Sequence, residues 1–260
     1  DYLIECLAEI LRDYALDGFS FDGNYLPALC RCPACTGGFL KAAGPGLPAK
    51  VDLHDLEYRE YMLWAGDRLE SWYRRLHDRM RQVNPESVLN SWTVNAGRYG
   101  HLLTSPRAMP RRMNLLFECP MQEWWLDETN LGGSIMPAFG AAYLRCVAGD
   151  RPCGSEPYLM TRGNPYGTDS FPHHERRVRA FLAMTHGCQA PQSLGWPGGA
   201  DAVAQVFADV KERERWLTGC TPLPWAALLV SEQTRQFAAY KEITQRFLPP
   251  LLGVFRTALE

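Results

Sequence analysis

The sequence predicts an α/β protein with a parallel sheet, and three observations point that way. Short apolar runs alternate with amphipathic stretches of ten or more residues, the alternation expected of βα units. The runs end on polar, Gly-rich or Trp-containing tips, where a (β/α)8 barrel carries its chemistry. Five such runs precede residue 218. That is too few to close a barrel of eight, so the chain reads as its C-terminal portion, about strands 4 to 8, with roughly three βα units expected before Asp1.

In chain order, Leu3, Leu7, Ile10, Leu11 and Tyr14 fall at helical spacing within Tyr2 to Leu16. The run Gly18 to Phe21 follows, so a helix feeds a strand. Gly37 to Pro48 is rich in Gly and Pro and reads as an excursion. Leu56 to Val83 is the longest helical pattern, with Leu63, Leu69, Trp72, Leu76, Met80 and Val83 forming an apolar stripe ended by Asn84 and Pro85. Ser87 to Trp92 is the second strand, and Met113 to Phe117, ending on Glu118, is read as the third. Ile135 to Val147 reads as a helix, Pro152 to Met160 as a strand containing Glu156, and His173 to His186 as a helix. Gln189 to Leu194 is a last short strand, and Asp201 to Leu217 a further helix. Residues 1–218 are assigned to the partial barrel. Gly219, Pro222 and Pro224 mark a linker, and WAALLVSEQT reads as a strand with Ser231 and Glu232 at its tip. Residues 219–260 are therefore expected to begin a second, truncated α/β domain.

Composition narrows the function. The apolar fraction of 46% with 12% aromatics supports a packed core, and a net charge of −2 with interleaved signs argues against nucleic-acid or membrane-surface partners. No transmembrane run and no signal peptide is visible, and Asp1 in place of methionine suggests that the chain begins inside a longer protein. Nine cysteines, three clustered and six scattered, do not resemble a secreted disulfide framework. A reducing, cytoplasmic setting is expected.

Cys30, Cys32 and Cys35 form C-x-C-x2-C, and soft thiolates at this spacing can wrap a tetrahedral zinc when a fourth ligand comes from elsewhere. The alternative is three unmetallated loop cysteines. Asp22 follows a buried strand at a Gly turn, where backbone approaches a ligand closely; it is either a catalytic carboxylate or the cap of the following turn. Glu118 and Glu156 are the other carboxylates placed in or at the end of apolar runs. Two carboxylates facing each other over a barrel mouth are the equipment of a glycoside hydrolase, one protonating the leaving oxygen while the other attacks or activates water. Trp92, Trp124, Trp125 and Trp196 stand near strand ends and suit stacking on sugar faces, or packing of the rim. Arg162 and Asn164 lie just past the strand bearing Glu156 and can bind hydroxyls or a carboxylate, and Asn24 stands beside Asp22. His186 reads as a C-terminal dipole partner, and His173 with His174 as a helix start.

The FDG strand, followed by C-x-C-x2-C and Phe39-Leu40, resembles the TIM-barrel glycoside hydrolases related to family 42 beta-galactosidases. THGCQAP and WAALLVSEQT resemble the last barrel strand and the start of a beta-galactosidase trimerisation-like domain. The resemblance implies a zinc site completed by a cysteine from an earlier segment, a glycoside or polysaccharide substrate, and a homo-oligomer, a trimer, in the full-length protein. It places Asp22 where the family has its acid/base, here in FDG rather than an Asn-Glu pair, and Glu156 where the nucleophile stands, with Glu118 in reserve. An open five-stranded portion of a barrel exposes the edges and core that the other strands would cover, so this portion alone is expected to be inactive. A barrel that binds sugar or serves assembly without catalysis is the alternative.

Overall fold

The computed structural model describes residues 2–21, 29–44, 46–92, 111–123, 135–156, 159, 171–190, 199–221, 223–237 and 246–260. The chain opens with α1 (Tyr2–Asp13), which buries Ile4, Ala8 and Leu11 on one stripe, and then forms β1 (Gly18–Phe21). Between residues 37 and 48, expected as an excursion, the structure has α2 (Pro33–Ala43). Gly and Pro mark its ends and do not exclude it. Pro33 occupies the first turn, where its missing N–H costs nothing, and Gly44 closes the helix at φ +85°.

Next comes α3 (Leu56–Val83), capped by Asp55, whose carboxylate accepts from Glu57 N–H at 3.0 Å. This helix serves two cores. Its first half packs Tyr58, Tyr61 and Met62 against Phe39 of α2, and its second half packs Tyr73, Leu76 and Met80 against α1 and the sheet residues Phe19, Phe21 and Leu89.

The strand β2 (Val88–Trp92) follows, then one helical turn, α4 (Arg111–Asn114), and β3 (Cys119–Glu123). This corrects the third strand. Met113 to Phe117 was expected as a strand, but Met113 and Phe117 are plugs at 0% exposure in the helix-side core, and the ladder begins at Cys119. The apolar run misled because apolarity alone does not separate a core plug from a strand, and Pro120 argues against a central strand at the true position. Here Pro120 precedes the ladder with the following strand, β4 (Gly154–Glu156), which starts at Met121↔Gly154.

The helix α5 (Ile135–Ala148) lies between β3 and β4 in the chain, and α6 (His173–Thr185) and α7 (Gly199–Glu212) come after β4. They share an alanine-rich core that includes Ala141, Leu144, Ala180, Ala183 and Val206. The four strands are parallel and in sequential order β1-β2-β3-β4, and a bridge from Gly154 to Gln189 adds a fifth position. The protein is thus a mixed α/β fold built on a parallel sheet. Alternation puts Phe19, Phe21 and Leu89 toward the helices, while Ser20 and Val88, on the opposite face, are exposed.

Expected as one helix, 201–217 is divided into α7 and the short α8 (Glu214–Leu217). Of the strand expected at Gln189 to Leu194, Gln189 and Ala190 lie among the described residues, and Gln189 forms a bridge. The strand expected in WAALLVSEQT is also corrected, since residues 225–231 join no ladder. They keep strand-like alternation, with Leu228 and Val230 packing near Phe139 while Leu229 is 88% exposed. Alternation makes one face apolar, but a strand also needs a paired edge, and none of the described residues supplies one. The chain then forms α9 (Glu232–Phe237) and α10 (Leu248–Leu259), the latter packed on α5 through Leu248 and Phe255. No helix among the described residues is long and apolar enough to cross a membrane.

Candidate functional site

The carboxyl ends of the four strands lie on one edge of the sheet because the strands are parallel, β1 ending level with Pro120 and β3 and β4 three residues further on, at Glu123 and Glu156. Glu156 is the last residue of β4 and is 6% exposed. Beneath it, Gln122 Nε2 donates to Ser155 Oγ at 3.2 Å, a buried link that ties β4 to β3. The register pairs Glu156 with Glu123, the last residue of β3. Glu123 escapes a reading from sequence because that reading ended the third strand five residues earlier. The sequence signal that could have found it is the carboxylate immediately before Trp124 and Trp125.

Asp22, Asn24, Trp124, Trp125, Arg162, Asn164 and Trp196 lie outside the described residues. The backbone of Phe21, at the end of β1, leads directly to Asp22, and Trp92 ends β2.

Glu118 stands elsewhere. It precedes β3, so it lies at the amino edge of the sheet, five residues or about 16 Å along the strand direction from the level of Glu156. The expectation that Glu118 ends a strand at its carboxyl tip is therefore corrected. Its carboxylate clasps the neighbouring strand and the helix layer: Leu89 N–H donates to Oε2 at 2.7 Å, His77 Nε2 lies 2.9 Å from Oε1, and Arg81 donates to Oε1 at 2.9 Å. Burial works against its charge, but these three donors outweigh it and hold the carboxyl below the usual carboxylate range.

The cysteine cluster is built on the start of α2. Cys32 is the N-cap, and its Sγ accepts from Cys35 N–H at 3.4 Å, so the helix itself brings two sulfurs together. Cys30 is fixed from the other side, its N–H donating to Tyr61 Oη at 2.8 Å. Tyr61 is fully buried against Phe39. Arg31, between Cys30 and Cys32, donates to the carbonyls of Pro48 and Ala49 at 3.1 and 2.7 Å, pinning the loop. The three Sγ atoms all lie within 4.8 Å of one another. Sulfurs around a tetrahedral metal at about 2.3 Å stand about 3.8 Å apart, so a small contraction completes three corners. The cluster can hold a metal ion.

The thiols differ. The Cys35 N–H, followed by the neighbouring thiols, lowers the pKa of Cys32, whereas burial pushes Cys35 up to about 12. The anchors Tyr61 and α2 were invisible to spacing rules, which register the thiols alone.

His186 accords with its expected role, its Nδ1 donating to the Leu182 carbonyl at 2.8 Å at the end of α6. His173 begins α6 and pairs with Asp209 at 2.9 Å. No known family model matches the chain, and none of the curated proteins matches it.

Proposed function

We propose that this chain is the C-terminal portion, about strands 4 to 8, of a (β/α)8-barrel glycoside hydrolase. The observation that carries the reading is the buried carboxylate of Glu156 at the carboxyl tip of a sequentially ordered parallel sheet. Sequential order is what a barrel has and a doubly wound sheet does not. Glu156 acts as nucleophile or base, and Asp22, following the tip of β1, acts as its partner on the glycosidic bond. Asn24, Trp92, Trp124, Arg162, Asn164 and Trp196 hold the sugar. Cys30, Cys32 and Cys35 would hold a structural zinc with a fourth ligand from a longer chain, bracing the loop beside Asp22. Residues 219–260 begin a trimerisation-like domain in this reading.

The test is hydrolysis of an aryl-glycoside panel by the full-length protein, with E156Q and D22N beside it. The reading expects each substitution to lower kcat at least about a hundredfold while the circular dichroism spectrum is kept. Unchanged activity in both variants removes the assignment. A second reading, sugar binding without catalysis, draws on the FDG tip in place of an Asn-Glu pair. It predicts polysaccharide retention on affinity gels with no turnover of any panel member.

A further inference from the structure

At the amino end of β4, three residues before Glu156, lies an open cavity of about 680 Å³. Two of its wall residues are the buried thiols of Cys153 and Cys188. Their sulfurs are 3.5 Å apart. The pair is set by the sheet: Gln189 N–H donates to the Cys153 carbonyl at 2.7 Å, Ser155 N–H donates to the Gln189 carbonyl at 2.8 Å, and Gly154 bridges Gln189. Cys153 and Cys188 are therefore lateral neighbours one residue before that bridge. Adjacent strands stand about 4.8 Å apart, inside the Cα separations of about 4.4–6.8 Å that a disulfide spans. A modest rotation of the two side chains closes the remaining gap.

The surroundings favour reaction at one of the two sulfurs. Arg145 runs over Gly187, its Cγ and Cδ each 3.2 Å from where a Cβ would stand at that position. Its Nη1 donates to the carbonyls of Gly149 and Arg151 at 2.7 and 2.8 Å, which locks a cation beside the thiols. The contact with Cys188 Sγ, followed by the charge of Arg145, lowers the Cys153 pKa, while the same contact and burial raise that of Cys188. One sulfur is thus favoured as nucleophile, the other as resolving thiol.

We propose that Cys153 and Cys188 form a reversible dithiol/disulfide centre, oxidised by hydrogen peroxide that enters through this cavity. The Cys153 thiolate attacks a peroxide oxygen and breaks the O–O bond. The leaving hydroxide takes the proton that the Cys153 thiol gave up and departs as water, and Cys153 becomes a sulfenic acid. Cys188 sulfur then attacks Cys153 sulfur, forming S–S and breaking S–O. The expelled hydroxide takes the Cys188 proton and leaves as a second water. Two thiols are oxidised and one peroxide is reduced. A dithiol reductant reverses the change, so the centre staples β4 to the next strand position only under oxidation.

The test treats the whole chain with hydrogen peroxide, quenches it, unfolds it, alkylates it and maps its peptides. The expected result is one bridged peptide joining Cys153 to Cys188, lost on dithiothreitol treatment, and a dimedone adduct at Cys153 in C188S. Full alkylation of both residues after peroxide, while the exposed Cys32 oxidises, overturns the proposal. So does bridging of Cys153 to Cys119 or Cys220. Should C188S fail to fold, C188A with the same dimedone readout serves, and absence of the adduct there overturns the nucleophile assignment.

Discussion

Replacing Glu118 distinguishes a structural clasp from a catalytic carboxylate. Alanine at this position removes three interactions at once. The Leu89 N–H, on a residue 1% exposed, loses its charged acceptor, and an orphaned buried donor costs about 1–3 kcal/mol. The ion pairs to His77 and Arg81 involve partly exposed groups and together add at most about 1 kcal/mol. The expected destabilisation of E118A is about 2–3 kcal/mol, a fall in Tm of about 4–12 °C for a chain of this size. In E118Q an amide oxygen still faces Leu89 N–H, so the loss should stay near 1 kcal/mol. The pH dependence has a definite sign. Because the folded pKa lies below the unfolded one, the stabilisation is fully present above the ordinary carboxylate range and is lost as pH falls through the folded value. The part of the stability gap between wild type and E118Q that rests on the carboxylate's charge should therefore close in acid. Urea denaturation followed by tryptophan fluorescence, repeated from pH 7 to pH 3, reads both effects. An E118A variant as stable as wild type would refute the clasp. A gap that widened in acid would refute the assignment of charge.

Three further outcomes concern other contacts. On the proposed metal reading, C32S should take bound metal from about one equivalent to near zero without unfolding the protein, as read by elemental analysis and thermal melting. G18A should disrupt β1 pairing, since an added Cβ would stand 1.9 Å from the Val88 carbonyl oxygen; a loss of more than about 2 kcal/mol is expected in chemical denaturation, and near-wild-type stability would contradict the β1–β2 register. F39A should empty the fully buried site between α2 and α3, cost about 3–5 kcal/mol and loosen the cysteine loop, visible as faster alkylation of Cys30 and Cys35.

The elements legible in sequence were those whose signal is local and repeated. The boundaries of α3 emerged from periodicity because one helix of twenty-eight residues carries its stripe through many turns, with Asp55 before it and Pro85 just beyond it. Gly18 to Phe21 was equally readable: a short apolar run between a helix end and a polar turn has few other solutions. The errors came where a local pattern had two tertiary outcomes. The Met113 to Phe117 run is apolar because it plugs the helix-side core, and apolarity alone does not separate a plug from a strand. That slip moved Glu118 from the amino edge to an imagined carboxyl tip and hid Glu123. The segment 225–231 has the alternation of a strand without a described neighbour to pair with.

Spacing by itself determined that three thiols could converge and that βα units alternate, because both properties depend on residues close together in the chain. The tertiary structure decided which carboxylate stands at which end of the sheet, that Tyr61 anchors the sulfur loop from thirty-one residues away, and that Cys153 and Cys188, thirty-five residues apart, share one wall. Strand register and side-chain convergence depend on contacts between distant segments, and no local periodicity encodes their partners.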